Sequence, residues 1–368
     1  MGVRWVRSGE PERAALFGAQ AAWHAGAETD FLADDPPGRE AHLREVLEAC
    51  DARKNPYLEL FNEWNMAGGL GNAVLAERYV QGWLLPLDRL RRETNSSVII
   101  MSLGLSGSDP TWLRRVKELG GWDAIDAVAI HPGRGNYTPD CTRVEAPDEY
   151  WQFLGTVREA KQTVAELGEK PIWLTEAYAP TFPNSWWHDT YRHAAENVVL
   201  TMALAVAEGI RGVHWYQLHN STWYDVGGVS ETDPEYHYGL LHRDGSLKAS
   251  LLAYCTVAEA LDQAEFARWL DLPAPDAKGL LFDRPDGQVA ILWSRADGYI
   301  LNGKKEGYAE LEPWIDPWPT KTTINIPAEG PVRVIDCIGR ETVVTPAGGE
   351  VALVLDGAPR IVYGLAFD

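Results

Sequence analysis

Short apolar runs that end on polar residues recur through the first two thirds of the chain, separated by stretches long enough to be helices. The strand candidates are "YLELFNEWN" (Tyr57 to Asn65), "SSVIIMSLGLSG" (Ser96 to Gly107), "WDAIDAVAIHPG" (Trp122 to Gly133), "PIWLTEAY" (Pro171 to Tyr178) and "GVHWYQLHNST" (Gly212 to Thr222). Their ends fall near residues 62, 104, 131, 176 and 217, a spacing of roughly 30 to 45 residues that matches βα units. Helical stretches fill the gaps, among them "PDEYWQFLGTVREAKQTVAELGEK", with Pro at its start and Gly168 near its stop. Continuous apolar strands suit a parallel sheet buried on both faces.

Polar residues gather at the C-terminal ends of these strands: Asn62, Glu63, Ser106, His131, Glu176 and Gln217. In a (β/α)8 barrel those ends form the active-site face. A doubly wound sheet competes, but it would normally carry a Gly-rich phosphate turn after an early strand, and none is found. From about Gln263 the texture changes. "GLLFDRPDGQVAILWSR" pairs two apolar runs around Pro-Asp-Gly, a hairpin pattern, and the remainder repeats short strands split by Gly, Pro and Asp. The expected organisation is a barrel over 1–262 and a small antiparallel β-sandwich over 263–368, with a long loop from about 298 to 320.

Charge narrows the partners. With 33 basic and 53 acidic residues the net charge is −20, a field that repels phosphate backbones and argues against nucleic acid. Several of the 16 tryptophans sit in polar company, as in "NSWWHD" (Trp186, Trp187), "NSTWYD" (Trp223) and "EPWIDPWP" (Trp314, Trp318). Flat apolar faces with polar rims suit stacking against sugar rings; loop anchoring is the alternative for each. Cys50, Cys141, Cys255 and Cys337 lie far apart with no CxxC pair, and there is no HxH or HExxH, so neither a metal nor a cofactor is expected. No run of about 18 apolar residues exists, so no membrane partner is expected. The N-terminus "MGVRWVRSGE" lacks the form of a signal peptide and reads as a strand rather than a lipidation site. The default expectation is a cytoplasmic protein, or a secreted one if the start is truncated.

Two carboxylates, Glu63 in "LFNEWN" and Glu176 in "WLTEAY", lie three strands apart, each at the end of its strand. This arrangement resembles the large clan of retaining (β/α)8 glycoside hydrolases, whose acid/base follows Asn on the fourth strand and whose nucleophile ends the seventh. The resemblance covers roughly residues 1 to 262, and a β-sandwich is a common companion in several families of that clan. It implies Glu63 as general acid and then base, with a raised pKa. Glu176 would be an ionised nucleophile steadied by a cationic or hydrogen-bonding neighbour. Asn62 would bond the sugar 2-hydroxyl. Arg7 in "GVRWVR" matches the Arg of the clan's second strand, and His131 sits where the sixth strand lends a His or Tyr. Tyr137 is a candidate for a bond to the nucleophile, Trp215 matches the aromatic floor of the eighth strand, and Trp64 would line an outer subsite or simply pack.

One departure concerns the start. At the later pitch about 110 residues would precede the fourth strand, whereas 61 precede Asn62. The barrel is therefore expected to lack its first strand and helix, and the Ala-rich "AALFGAQAAWHAGAETDFLA" gives no convincing third strand. An open barrel exposes edges that a homodimer would cover. The expected activity is retaining hydrolysis of a β-glycosidic or α-L-arabinosidic bond. The alternatives are a carbohydrate-binding pseudoenzyme with a damaged barrel, a transglycosylase using the same residues, and a barrel enzyme of other chemistry.

Overall fold

The computed structural model describes residues 3, 5–7, 20–25 (backbone only), 35–52, 57–66, 72–181, 190–221, 234–301, 314 and 316–367. Strands β1 (Trp5–Arg7), β2 (Gln20–Ala25), β3 (Tyr57–Leu60) and β4 (Ile99–Met101) pair in parallel and in chain order. The same holds for β5 (Leu105–Ser106), β6 (Val128–His131), β7 (Ile172–Ala177) and β8 (Gly212–Trp215). β4 and β5 are two stretches of one line of chain. Met101 bridges to Ala127 and Gly104 to Asn62, so the two sheets are continuous. The single strand expected over 96–107 thus breaks at 102–104, where the Leu103 amide donates to the Tyr79 hydroxyl (2.9 Å) instead of a neighbouring strand. β1 and β8 lie side by side, with no ladder between them among the described residues.

β2 falls inside the Ala-rich segment that gave no convincing strand. Parallel partners on both sides, β1 and β3, select the extended form there, because strand preference is largely a matter of pairing and packing. Helices α1 (Pro36–Ala52), α2 (Ala73–Tyr79), α3 (Leu85–Thr94), α4 (Pro110–Glu118), α5 (Phe153–Leu167), α6 (Tyr191–Ala207) and α7 (Ala249–Ala260) cover the sheet. Asn72 caps α2 by accepting from the amides of Val74 and Leu75, and Thr190 caps α6 through His193. α5 starts at Phe153 rather than at Pro147, which leaves Tyr150 and Trp151 in the approach to the strand ends.

Alternation along the strands builds two cores. Leu58, Leu60, Ile100, Val128, Ile130 and Leu174 face outward into the cluster shared with the helices. Met101, Ala127, Ala129 and Trp173 face inward, with Trp5 and Tyr57 packed on them. The rings of Trp5, Tyr57 and Trp173 meet at centroid distances of 4.8 to 5.4 Å, edge-on or tilted, and plug the interior below the strand ends. Gly212 makes room for the plug: a Cβ there would lie 2.3 Å from the Trp173 ring.

The C-terminal part is a six-stranded antiparallel sheet facing a two-stranded one. The larger contains β9 (Glu265–Trp269), β10 (Ala277–Arg284), β11 (Gly287–Ser294), β13 (Val332–Ile335), β14 (Glu341–Val344) and β16 (Arg360–Tyr363); the smaller contains β12 (Thr322–Pro327) and β15 (Glu350–Leu355). Its two faces are both buried. Leu280, Phe282, Ile291 and Trp293 join the helical core, while Leu281, Ala290, Leu292 and Val362 pack against Ile324, Ile326 and Leu353 of the smaller sheet. Arg295 grips Asp140 with Nη2 at 2.7 Å and Nε at 2.9 and 3.0 Å, and Trp293 Nε1 donates to the same carboxylate at 2.8 Å. Leu301 and Thr138 amides bond the carbonyls of Asn136 and Tyr299, both at 2.8 Å. The loop that follows β6 is therefore braced by the C-terminal sheet.

Candidate active site

The turn after β3 sets the geometry. On a regular strand Asn62 and Glu63 would face opposite sides. Here Phe61 and Glu63 adopt positive φ, 72° and 53°, a conformation that costs about 1–3 kcal/mol at a non-glycine position. The break in alternation lets Asn62 and Glu63 both reach inward-facing partners. A register shift between Leu174 and Ala177 on β7 does the same for Thr175 and Glu176. Gly104 supplies the space between them: a Cβ would lie 2.3 Å from Glu59 Oε1 and 2.8 Å from His131 Nε2.

Arg7 is the hub. Its guanidinium donates to Glu59 Oε2 (2.5 Å), Glu176 Oε1 (2.6 Å) and Asn62 Oδ1 (2.7 Å). Burial opposes its charge, but Glu59 and then Glu176 outweigh that and hold its pKa above the ordinary arginine value. Glu59 is fully buried and accepts from Thr175 Oγ1 (2.7 Å) as well as Arg7. Burial alone would raise its pKa; Arg7 and His131 reverse this and hold it far below the usual carboxylate range. His131, also buried, bonds Glu63 Oε1 through Nδ1 (2.9 Å) and Thr175 Oγ1 through Nε2 (3.0 Å). A hydrogen-bonded circuit thus runs from Glu63 through His131, Thr175, Glu59 and Arg7 to Glu176.

The protonation pattern departs from the expected raised Glu63. Burial pushes Glu63 up, but the bond and charge of His131, then Arg7 and Ser106, hold it below the ordinary carboxylate value. Burial also lowers His131, yet Glu176, Glu59 and Glu63 together raise it to about 9. The shared proton is therefore favoured on the imidazole rather than on Glu63. A pH dependence follows from linkage. The depressed carboxylates contribute stability that is present above their ordinary 4.5 and is lost as the pH falls below it. His131 contributes stability that is complete below 6.5 and is lost as the pH rises through about 9. Melting temperature against pH should fall between those last two values, and His131→Asn should flatten that limb. An identical alkaline limb in the variant would show that His131 is neutral.

The structure brings together Glu63, Glu176, Asn62, Arg7 and His131. It places three other candidates elsewhere. Tyr137 bridges by backbone to Ile300 and its phenol bonds Glu149. Trp64 is buried with its ring stacked on Phe61 at 3.7 Å, so that face is taken by the core. His214 turns inward against Trp173 (5.8 Å), so Trp215 falls on the other face of β8 and packs against the main core. The aromatic residue that feels both carboxylates is Tyr178; its ring meets Tyr238 edge-on at 5.3 Å, and Tyr238 meets Tyr216 at 5.5 Å. Burial, Glu63 and Glu176 hold the Tyr178 phenol above its ordinary value. Tyr216 donates to Glu235 at 2.8 Å. Trp318 is buried and donates to Glu196, and Trp314 packs on the core, so neither is a free stacking face. Trp186, Trp187 and Trp223 lie outside the described residues.

Glu59 and Thr175 were missed in the sequence. The signal was a carboxylate in the middle of an otherwise apolar strand, which must be paired if it faces inward.

One ligand atom from each of Glu63, His131 and Glu176 lies within 4.8 Å of the others. That spacing could hold a divalent cation if His131 gave up its proton. It also places two carboxylates close enough to act on opposite sides of one bond.

No family model matches the sequence, and no curated protein matches it. Solved structures are similar. A family 39 glycoside hydrolase from Bacteroides cellulosilyticus aligns over 96% of this chain and 69% of its own, at 20% identity and a TM-score of 0.70. A monomeric beta-xylosidase from Caulobacter crescentus aligns over 96% and 82%, at 14% identity and a TM-score of 0.62. A family 51 alpha-L-arabinofuranosidase from Bifidobacterium longum aligns over 96% and 77%, at 11% identity and a TM-score of 0.57. At these identities the likeness is one of fold, a parallel α/β sheet with an antiparallel companion.

Proposed function

We propose that the chain is a retaining glycoside hydrolase acting on a β-glycosidic or α-L-arabinosidic bond. The observation that carries this reading is the approach of the Glu63 and Glu176 carboxylates to within 4.8 Å at their nearest ligand atoms. Double displacement needs carboxyl groups about 5 to 5.5 Å apart, whereas single displacement needs about 6.5 to 9.5 Å to admit a water. Glu176, oriented by the Arg7 guanidinium that donates to its Oε1 at 2.6 Å, attacks the anomeric carbon as the glycosidic C–O bond breaks. Glu63 delivers a proton to the departing oxygen. It then takes one from the water that releases the sugar from Glu176.

That first proton is held by His131, 2.9 Å from Glu63 Oε1. Sugar entering the site excludes water and weakens the solvation of the Glu63 carboxylate, which favours transfer of the proton from Nδ1 to Oε1. Asn62, oriented by Arg7, would bond a sugar hydroxyl. Neighbours that act on xylosides and arabinofuranosides make pentosides the first substrates to try.

Glu63→Gln tests the assignment. Turnover of an alkyl glycoside should fall by about 10²–10⁴, the usual worth of a general acid, while a dinitrophenyl glycoside, whose leaving group needs no proton, should retain its glycosylation rate. Equal losses on both substrates would remove the acid/base role. A second reading, a sugar-binding protein without turnover, draws on the absence of a ladder between β1 and β8 among the described residues. It predicts binding with no release from either substrate in the unmodified chain.

A further inference from the structure

Lys248 is 1% exposed, and it makes bonds to three separate stretches of chain. Its Nζ donates to Thr181 Oγ1 (2.8 Å), to Asn220 Oδ1 (2.6 Å) and to the His237 carbonyl (3.0 Å). Thr181 lies on the loop leaving β7, five residues past Glu176 and three past Tyr178. Asn220 lies on the stretch leaving β8, shortly after Tyr216. His237 directly precedes Tyr238 on the segment that returns towards α7. These are the three tyrosines whose rings pack in a row, Tyr178 on Tyr238 and Tyr238 on Tyr216, with Tyr178 the one that feels Glu63 and Glu176.

The three stretches are pressed together by backbone as well. Leu240 and Leu241 amides bond the carbonyls of Gln217 and Leu218, both at 2.9 Å, and the Thr181 amide bonds the His237 carbonyl at 3.1 Å. Gly239 permits this approach: a Cβ would lie 2.0 Å from the Asn220 amide nitrogen and 2.2 Å from the His219 carbonyl carbon. Burial lowers the Lys248 ammonium to about 7, and the titratable group that feels its charge is His242. An apolar side chain of the same length would fill the space without that desolvation. What a lysine adds here, in its ammonium form below about pH 7, is three donors converging on three acceptors from different loops.

We propose that Lys248 is a positioning residue, a three-way clasp that sets Tyr178, Tyr216 and Tyr238 as the wall of the sugar site. Its kinetic consequence rests on the hydrolase reading; the clasp itself does not. Lys248→Met keeps the length and removes the donors, and Thr181→Val removes one acceptor from the opposite side together with the hydroxyl's own bond to the His237 carbonyl. Amide hydrogen exchange on the full chain reads the clasp without any substrate. Lys248→Met should speed exchange at least about tenfold in 177–181, 216–221 and 236–241, while leaving β3 and β6 protected. Thr181→Val should loosen the same segments less, and because the Lys248–Thr181 bond is shared while the hydroxyl's 3.1 Å bond to the His237 carbonyl is not, the double variant should loosen them by less than the sum of the two.

For a pentoside substrate, KM should rise about tenfold with kcat changed less than about threefold, the pattern of lost uniform binding. Unchanged exchange in the three segments, a rise spread evenly over the whole chain, or additive effects in the double variant would each overturn the clasp. Should Lys248→Met fail to fold, Thr181→Val alone decides by the same three segments. Local loosening in a protein that hydrolyses no glycoside would uphold the clasp and reject the hydrolase.

Discussion

Glu176→Ala is expected to reduce turnover of an activated aryl glycoside by roughly 10⁴ or more, the scale seen when a covalent nucleophile is removed. The methyl group leaves space beside Arg7, whose Nη1 loses its 2.6 Å acceptor and so forms a site for a small anion. Added azide or formate should occupy it, attack the anomeric carbon directly, and restore part of the rate. With azide the product should be a glycosyl azide of inverted configuration, because one displacement replaces two. Proton NMR of the product reads the stereochemistry. Wild-type turnover in Glu176→Ala, or rescue with retention, would remove Glu176 as nucleophile.

Glu59→Gln should lower folding stability by about 3–5 kcal/mol, the usual result of removing one charge from a buried pair. Glu59 is fully buried, bonds Arg7 at 2.5 Å and accepts from Thr175 at 2.7 Å. Its charge also helps hold the proton on His131, so the alkaline limb of the stability profile should move to lower pH in the variant. Urea denaturation at pH 6 measures the first effect and melting against pH the second. A variant as stable as the parent, with an unmoved alkaline limb, would mean that Glu59 is not ionised in the native protein.

Much of the fold is written in local pattern. Strand ends near 62, 104, 131, 176 and 217 are visible because apolar runs stop at polar residues, and β3, β5, β6, β7 and β8 end at or close to those places. Gly168 stops α5 with a φ of 123°, a conformation that favours glycine. The candidate carboxylates stand out for the same reason, since a strand end that presents Asn-Glu or Thr-Glu breaks an apolar pattern. Other choices are not local. β2 lies in an Ala-rich stretch whose residues suit a helix, and pairing with β1 and β3 makes it a strand.

Trp215 and Tyr216 differ by one position, and one position reverses the face in a strand. The register of β8 on β7, set by the Trp173–Gly212 and Leu174–Val213 pairs, puts His214 inside and Trp215 outside. Trp64 in "NEWN" reads either as the lining of an outer subsite or as a packing residue, and the positive φ of Phe61 and Glu63 folds the turn so that its ring lies on Phe61.

Local pattern along the chain accounts for the alternation of strands and helices, the change to antiparallel strands after about Gln263, and the strand-end placement of Glu63 and Glu176. Each depends on neighbours a few residues apart. Tertiary structure alone decided that Glu59 is a buried anion held by Arg7, 52 positions away. It also decided that His131 carries the proton and that Lys248 joins three loops. Charge and hydrogen bonding at a buried group depend on what surrounds it in space, and along this chain those partners are separated by tens to more than a hundred residues.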